Sequence, residues 1–297
     1  KAKKLTAYHE AGHAVSSYYL DNEDPVHQIS IIPRGMAGGY TLYRPTEDKH
    51  YTSKNEMLDN LVSLLGGRVA EALVLGDIST GASNDIERAS KIARDMVRKY
   101  GMSEKVGLIQ LGQENEEVFL GREIGHSRNY GEEVAALIDR EIRRIVEEAH
   151  QKAKELLTEH YAVLLKTRDF LIEKEKMMAF AREDDNIPLH TDEEYAKTTR
   201  FGQLIAPGVM SFMAVWAKYL EVSFFSDSLI AGVSTNIRWL KPVFAGDVLT
   251  GKVTITNLVK RNEKNGMVEV TVDVYNQDGV LVLKDTTESV VKCREPQ

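Results

Sequence analysis

Two hydrophobic periods divide this chain, and together they restrict its fold more than any other feature. From residue 131 to about 166, Val134, Leu137, Ile138, Ile142, Ile145, Val146, Ala149, Ala153, Leu156 and Leu157 recur at helical spacing with charges opposite. That pattern predicts one long amphipathic helix or two. Late in the chain the period becomes two: "AGVSTNIRWLKPV", "LTGKVTITNLVKR", "MVEVTVDVYNQDG" and "VLVLKDTTESVVKC" alternate between Gly, Asn and Asp turns. Alternation of this kind belongs to antiparallel strands. A helical part followed by a strand-rich part predicts two domains, the second an α+β arrangement in which a sheet wraps the apolar helix expected from Val209 to Leu220. The 297 residues, 42% hydrophobic and 28% charged, suffice for two cores.

Charge and composition exclude several classes. A net charge of -7 with no long basic run argues against a nucleic-acid footprint. Cys293 is the single cysteine, so no intramolecular disulfide can form and a reducing compartment is expected. The apolar stretch "LIAPGVMSFMAVWA" is interrupted by Pro207 and Gly208 and falls short of the roughly 20 residues a membrane-spanning helix needs. No membrane segment is expected. One near match to a phosphate loop, "GDVLTGKV" at 246 to 253, has Val253 where a hydroxyl must bind magnesium, and it reads as a turn and strand.

Chemistry concentrates first at "YHEAGHAV", residues 8 to 15. Residues 2 to 19 read as a helix, on which a spacing of four stacks His9 and His13 on one face, where two imidazoles can share a metal. Glu10 lies one position round, within reach of a water activated there. A third ligand is needed, and "STGASNDIERASKIARDMVRKYGM" offers Asp85 in the first turn of a helix with Ser83 as its expected N-cap. Asp85 can equally serve the helix dipole, and spacing alone does not choose.

The order of motifs from residue 4 to about 165 resembles the peptidase domain of the FtsH family of ATP-dependent zinc proteases. "AYHEAGHAV", "ISIIPRG" with "GGYTL", "LLGGRVAEALVLGDISTGASNDIERA", "ARDMVRKYGMSEKVG", "VFLGREI" and "RNYGEEVAALIDREIRRI" carry it. The resemblance implies a mainly α-helical zincin domain holding zinc through His9, His13 and Asp85, with Glu10 as the base. It also implies that Gly39, Tyr40 and Thr41 lie on an edge strand that pairs with an unfolded polypeptide substrate. Glu71 ranks below Asp85 as a ligand and is expected to support the site from behind. The ATPase motor and membrane segments of that family are not seen in this sequence, so a cytoplasmic peptidase part, in a homo-oligomer, is the expectation.

Residues from about 170 resemble the MaoC-like hotdog dehydratases, which include enoyl-CoA hydratases. The carrying pieces are "PLHTDEEYAKTTRFG", "IAPG", "IRWLKPVFAGDVL" and "VYNQDGVLV". Asp185, Pro188, Leu189 and His190 fall on the family's motif, whereas Ile187 replaces its asparagine and Asp184 its glycine. The resemblance implies that Asp185 and His190 activate water for addition to an acyl-CoA thioester, with amides near Gly208 polarising the carbonyl. An acyl-binding or structural module without catalysis is the alternative, as is a hydratase joined to an inactive peptidase part. Trp216 and Trp239 are expected in the core. The domain change is placed at 166 to 173, giving 1–168 as the peptidase domain and 169–297 as the hotdog domain. "TRDFLIEKEKMMAFARED" is expected to form a short strand-like run and then a charged helix.

Overall fold

The computed structural model describes residues 2–32, 38–45, 51–111, 130–222 and 228–293. The "VFLGREI" stretch and part of "ISIIPRG" lie outside these. The chain divides into two compact units, Lys1–Ile172 and Glu173–Gln297.

The first unit contains α1 (Ala2–Tyr18), β1 (Val26–Ser30), β2 (Tyr40–Tyr43), α2 (Lys54–Leu75), α3 (Ser83–Arg98), α4 (Glu132–Glu159) and the first part of α5 (Tyr161–Asp184). Its core is helix on helix: Ala7, Ala11, Val15, Leu61, Leu65, Val69, Met96, Ile145 and Leu157 are all buried together. Small residues on α1 let it lie directly on α2. A Cβ placed on Gly12 would fall 2.4 Å from the Gly66 carbonyl oxygen, and one on Gly66 would fall 2.7 Å from that of Gly12. The α2 start is held by a reciprocal cap, in which Ser53 Oγ accepts from the Glu56 amide and the Glu56 carboxylate accepts from the Ser53 amide. Gly76 ends α2 in the left-handed conformation, φ 63°.

Two expectations change here. Ser83 is the first residue of α3 rather than its cap. A 3₁₀ turn, Thr80–Ala82, runs straight into the helix, and Ser79 caps that turn by accepting from the Gly81 amide. The helical run from 131, readable as one helix or two, is two, broken at His160. The stretch "TRDFLIEKE" has no strand: α5 is continuous and crosses the division at 172/173. Leu164, Leu171 and Met178, seven apart, are buried, so a helical stripe underlies what reads locally as a strand.

The second unit adds two short helices, α6 (Pro188–Thr191) and α7 (Glu193–Thr198), then α8 (Gly208–Val222) and four strands. β3 (Leu229–Trp239), β4 (Thr250–Lys260), β5 (Asn265–Tyr275) and β6 (Leu281–Lys292) form one antiparallel sheet in the order β3-β6-β5-β4. The rejected phosphate loop is the turn entering β4, with no helix after it. Alternation puts Val268, Val270, Val272 and Val274 of β5 on one face, where they pack with Leu283, Phe212 and Val215. Burying each of these valines contributes about 1.5–3 kcal/mol. No helix among the described residues is long and apolar enough to cross a membrane.

Candidate functional site

The close crossing of α1 on α2 builds the first site. At Gly67 a Cβ would lie 2.6 Å from His13 Nε2 and 2.7 Å from His9 Cε1, so only glycine leaves room for both rings. His9 Nε2 and His13 Nε2 are 3.0 Å apart, and Asp85 Oδ2 lies 3.2 Å from the first and 3.4 Å from the second. Ligands about 2.0–2.1 Å from a tetrahedral zinc sit about 3.3–3.4 Å from one another. The triangle therefore fits such an ion with two nitrogens and one oxygen. His9, His13 and Asp85 keep side-chain exposures of 12%, 9% and 16%, so the triangle is largely desolvated yet reachable.

The opposite ring nitrogens are occupied. His13 Nδ1 lies 2.9 Å from the Ser63 carbonyl oxygen, which can only accept, so Nδ1 carries a proton and Nε2 is turned into the triangle. His9 Nδ1 lies 2.8 Å from Glu71 Oε1. Glu71, 1% exposed, also accepts from the Ser79 amide and hydroxyl. It stands behind His9 rather than in the triangle.

Electrostatics point the same way. Burial lowers the pKa of His9, but the bonds to Asp85 and Glu71 and the charges of Glu10 and Asp85 outweigh it and leave that pKa raised. Burial lifts Asp85, yet His13 and His9 together hold its carboxyl well below the usual carboxylate range. Both shifts mark a point that favours a cation. Burial raises Glu10 above its ordinary value, against the opposing pull of His13 and the Thr41 hydroxyl.

Glu10, on α1, is 6% exposed. The Thr41 hydroxyl donates to its Oε2 at 2.7 Å. The structure thus brings Gly39 and Thr41 to Glu10, and Tyr40 to a backbone pairing with Ser30 in the β1–β2 ribbon. The other edge of β2 carries no strand among the described residues. Sequence reasoning missed Ser63 and the glycine pair of α2. Adjacent glycines inside an otherwise strong helix pattern, "LLGGR", were the available signal of close approach.

The second site lies in the second unit. His190, 5% exposed on α6, has its Nδ1 2.8 Å from the Ile205 carbonyl oxygen and its Nε2 3.4 Å from Asp185 Oδ2. The carbonyl fixes the proton on Nδ1 of the neutral ring and turns Nε2 toward Asp185. Ile187 is 44% exposed and its carbonyl accepts from the His190 amide, so its side chain leaves this pair undisturbed. Asp185, His190, Phe201, Gly208 and Trp239 line a cavity of about 410 Å³, with Arg200 and Lys241 among its walls. A Cβ on Gly208 would fall 2.7 Å from the Trp239 indole. Trp239 was expected in the core and instead is 52% exposed on this wall, because β3 is an edge strand with open faces. Trp216 is half-buried beside Phe212.

Comparison with known proteins supports both parts. Residues 1–182 match the family described as Peptidase family M41, and residues 151–277 match the MaoC like domain. The ATP-dependent zinc metalloprotease FtsH 1 of Thermoanaerobacter sp. (strain X514) is 63% identical over 177 residues, 60% of this chain and 29% of that protein. The ATP-dependent zinc metalloprotease FtsH of Thermotoga maritima is 50% identical over 198 residues, 66% of this chain and 32% of that protein. The chain thus spans about a third or less of the length of these curated relatives. Similar solved structures include a monoamine oxidase regulatory protein from Archaeoglobus fulgius, at 31% identity over 41% of this chain and 83% of that one, TM-score 0.39. A MaoC-like dehydratase from Rhodospirillum rubrum matches at 29% identity over 42% of this chain and 86% of that one, also with TM-score 0.39. The chain belongs to Peptidase family M41, as an FtsH-type peptidase part joined to a MaoC-like hotdog domain.

Proposed function

We propose that the first part, through residue 168, is a zinc-dependent endopeptidase acting on unfolded polypeptide, and the observation that carries this reading is the His9–His13–Asp85 triangle. His9 Nε2, His13 Nε2 and Asp85 Oδ2 would hold the ion, with Glu71 and the Ser63 carbonyl orienting the two rings. A bound zinc supplies Lewis-acid chemistry, lowering the pKa of water to about 7 and polarising a peptide carbonyl. Glu10 takes the proton of the attacking water and returns it to the leaving amine. Gly39, Tyr40 and Thr41 belong to the short strand whose free edge would pair with an extended substrate. The test is a purified sample assayed for zinc and for peptide cleavage: Glu10→Gln should keep the metal and lose cleavage. Full cleavage by that variant would sink the assignment.

From residue 169 onward, the proposed activity is hydration of an enoyl thioester of acyl-CoA type. Asp185 and His190 face one cavity and could exchange the protons that addition of water requires, while the free amides of the first turn of α8, from Gly208, polarise the thioester carbonyl. Hydration of a short trans-2-enoyl-CoA, lost in His190→Ala, is the measurement. Thioester binding without turnover would reduce the domain to an acyl-binding module. Homo-oligomeric assembly and a cytoplasmic location complete the proposal.

A further inference from the structure

We infer that the Thr41 side chain is a positioning group for the general base, setting the orientation of the Glu10 carboxylate while its backbone stays on the substrate-pairing strand. This rests on the reading of Glu10 as that base. The carboxylate is addressed from the β2 side at both oxygens. Thr41 Oγ1 donates to Oε2 at 2.7 Å, while Oε1 occupies the space that a Cβ on Gly39 would enter, 2.9 Å away. Oε1 makes no hydrogen bond among the described residues. One oxygen is held, and the other is left for a proton.

The support behind Thr41 is firm. Two positions along the strand on the same face, the Tyr43 hydroxyl lies 3.2 Å from both Ser17 Oγ of α1 and Ser63 Oγ of α2. Leu42, between them, is 44% exposed on the opposite face. The inward face of β2 is therefore anchored to the two helices that carry Glu10, His9 and His13. A glutamate has three rotatable side-chain bonds, so without this clamp its carboxylate would sample several orientations beside two imidazoles. Misplacement of a catalytic group by about 1 Å can cost about 100-fold in rate.

The experiment compares wild type with Thr41→Val, Thr41→Ser and Glu10→Gln, measuring kcat and KM for an unstructured peptide, zinc content and thermal midpoint. Thr41→Val should lower kcat about 10- to 100-fold with KM and zinc content unchanged, and Thr41→Ser should restore kcat. A valine variant with wild-type kcat, or one that raises KM alone, would overturn the inference, the latter by making the Thr41 side chain a substrate contact. Equal losses in the valine and serine variants would assign the effect to the methyl group and overturn it too. Should the valine variant melt out, Thr41→Ala carries the same comparison. A wild type that cuts no peptide, or a fully active Glu10→Gln, defeats the reading of Glu10 itself, and the inference with it.

Discussion

Gly12 and Gly66 meet backbone to backbone, so closely that a methyl group on Gly12 would sit 2.4 Å from the Gly66 carbonyl oxygen. The seating of both histidines depends on that contact, because His9, Glu10 and His13 are placed by α1, and Gly67 opposite them is placed by α2.

Gly12→Ala should therefore disturb more than packing. Overfilling a tight interface costs about 1–3 kcal/mol, and forcing α1 away from α2 moves both histidines relative to Asp85. Denaturant unfolding should show the loss, and zinc analysis should show substoichiometric metal. A variant with wild-type stability and zinc content would mean that the crossing is looser than described.

Glu71→Gln keeps the volume of a fully buried side chain and removes the charge that faces His9 Nδ1. Groups standing behind a metal-binding histidine typically change affinity about 10- to 100-fold. Competition with a chelator should register a weakening in that range, while Glu71→Gln still binds one zinc. Loss of zinc altogether would promote Glu71 to a ligand.

Glu141 offers a test of stability against pH. It is 1% exposed, accepts from the Ser103 hydroxyl at 2.8 Å and from two Arg144 nitrogens at 2.9 and 3.1 Å, and lies 3.2 Å from Lys105 Nζ. The Arg144 hydrogen bonds, opposed by burial and aided by Ser103 and Lys105, bring its pKa from the ordinary 4.5 to about 2. The folded value is the lower one, so the contribution is complete above about pH 5 and is lost as pH falls toward about 2. Glu141→Gln should flatten that part of the stability profile. An acid limb unchanged by the substitution would contradict the assignment.

Removing metal and removing His190 should have opposite effects. A chelator is expected to abolish peptide cleavage and spare enoyl-thioester hydration, whereas His190→Ala or Asp185→Asn should spare cleavage and abolish hydration. Each site draws its residues from one unit only. Hydration that dies with the zinc would break the two-site reading.

Much of this architecture was legible in the residues. Periodicity located the helix at 2–19, the helix that follows Ser83 and four strand segments, because an amphipathic face repeats whatever its partner. The histidine pair and Asp85 were candidates because few residue types bind metal. The spacing could not bring them together, since Asp85 reaches His9 across 76 residues of chain. The Ser63 carbonyl was invisible in principle, because every residue has one. Thr41 was readable as a residue of a substrate-pairing edge strand, whereas its bond to Glu10 arises from how β2 lies on α1. α5 was misread locally because "FLI" puts three apolar residues side by side, and the burial that makes it helical repeats over two turns. Trp239 was misassigned because size predicts burial, while its position on an edge strand leaves it at a cavity wall.

That position makes the cavity optically addressable. The chain has two tryptophans, Trp216 on α8 and Trp239 against Gly208. In a Trp216→Phe background all indole emission would come from the wall of the His190 cavity. Quenching or a spectral shift on adding a thioester would then report occupancy directly, in a variant whose His190 has been removed as readily as in one that turns substrate over.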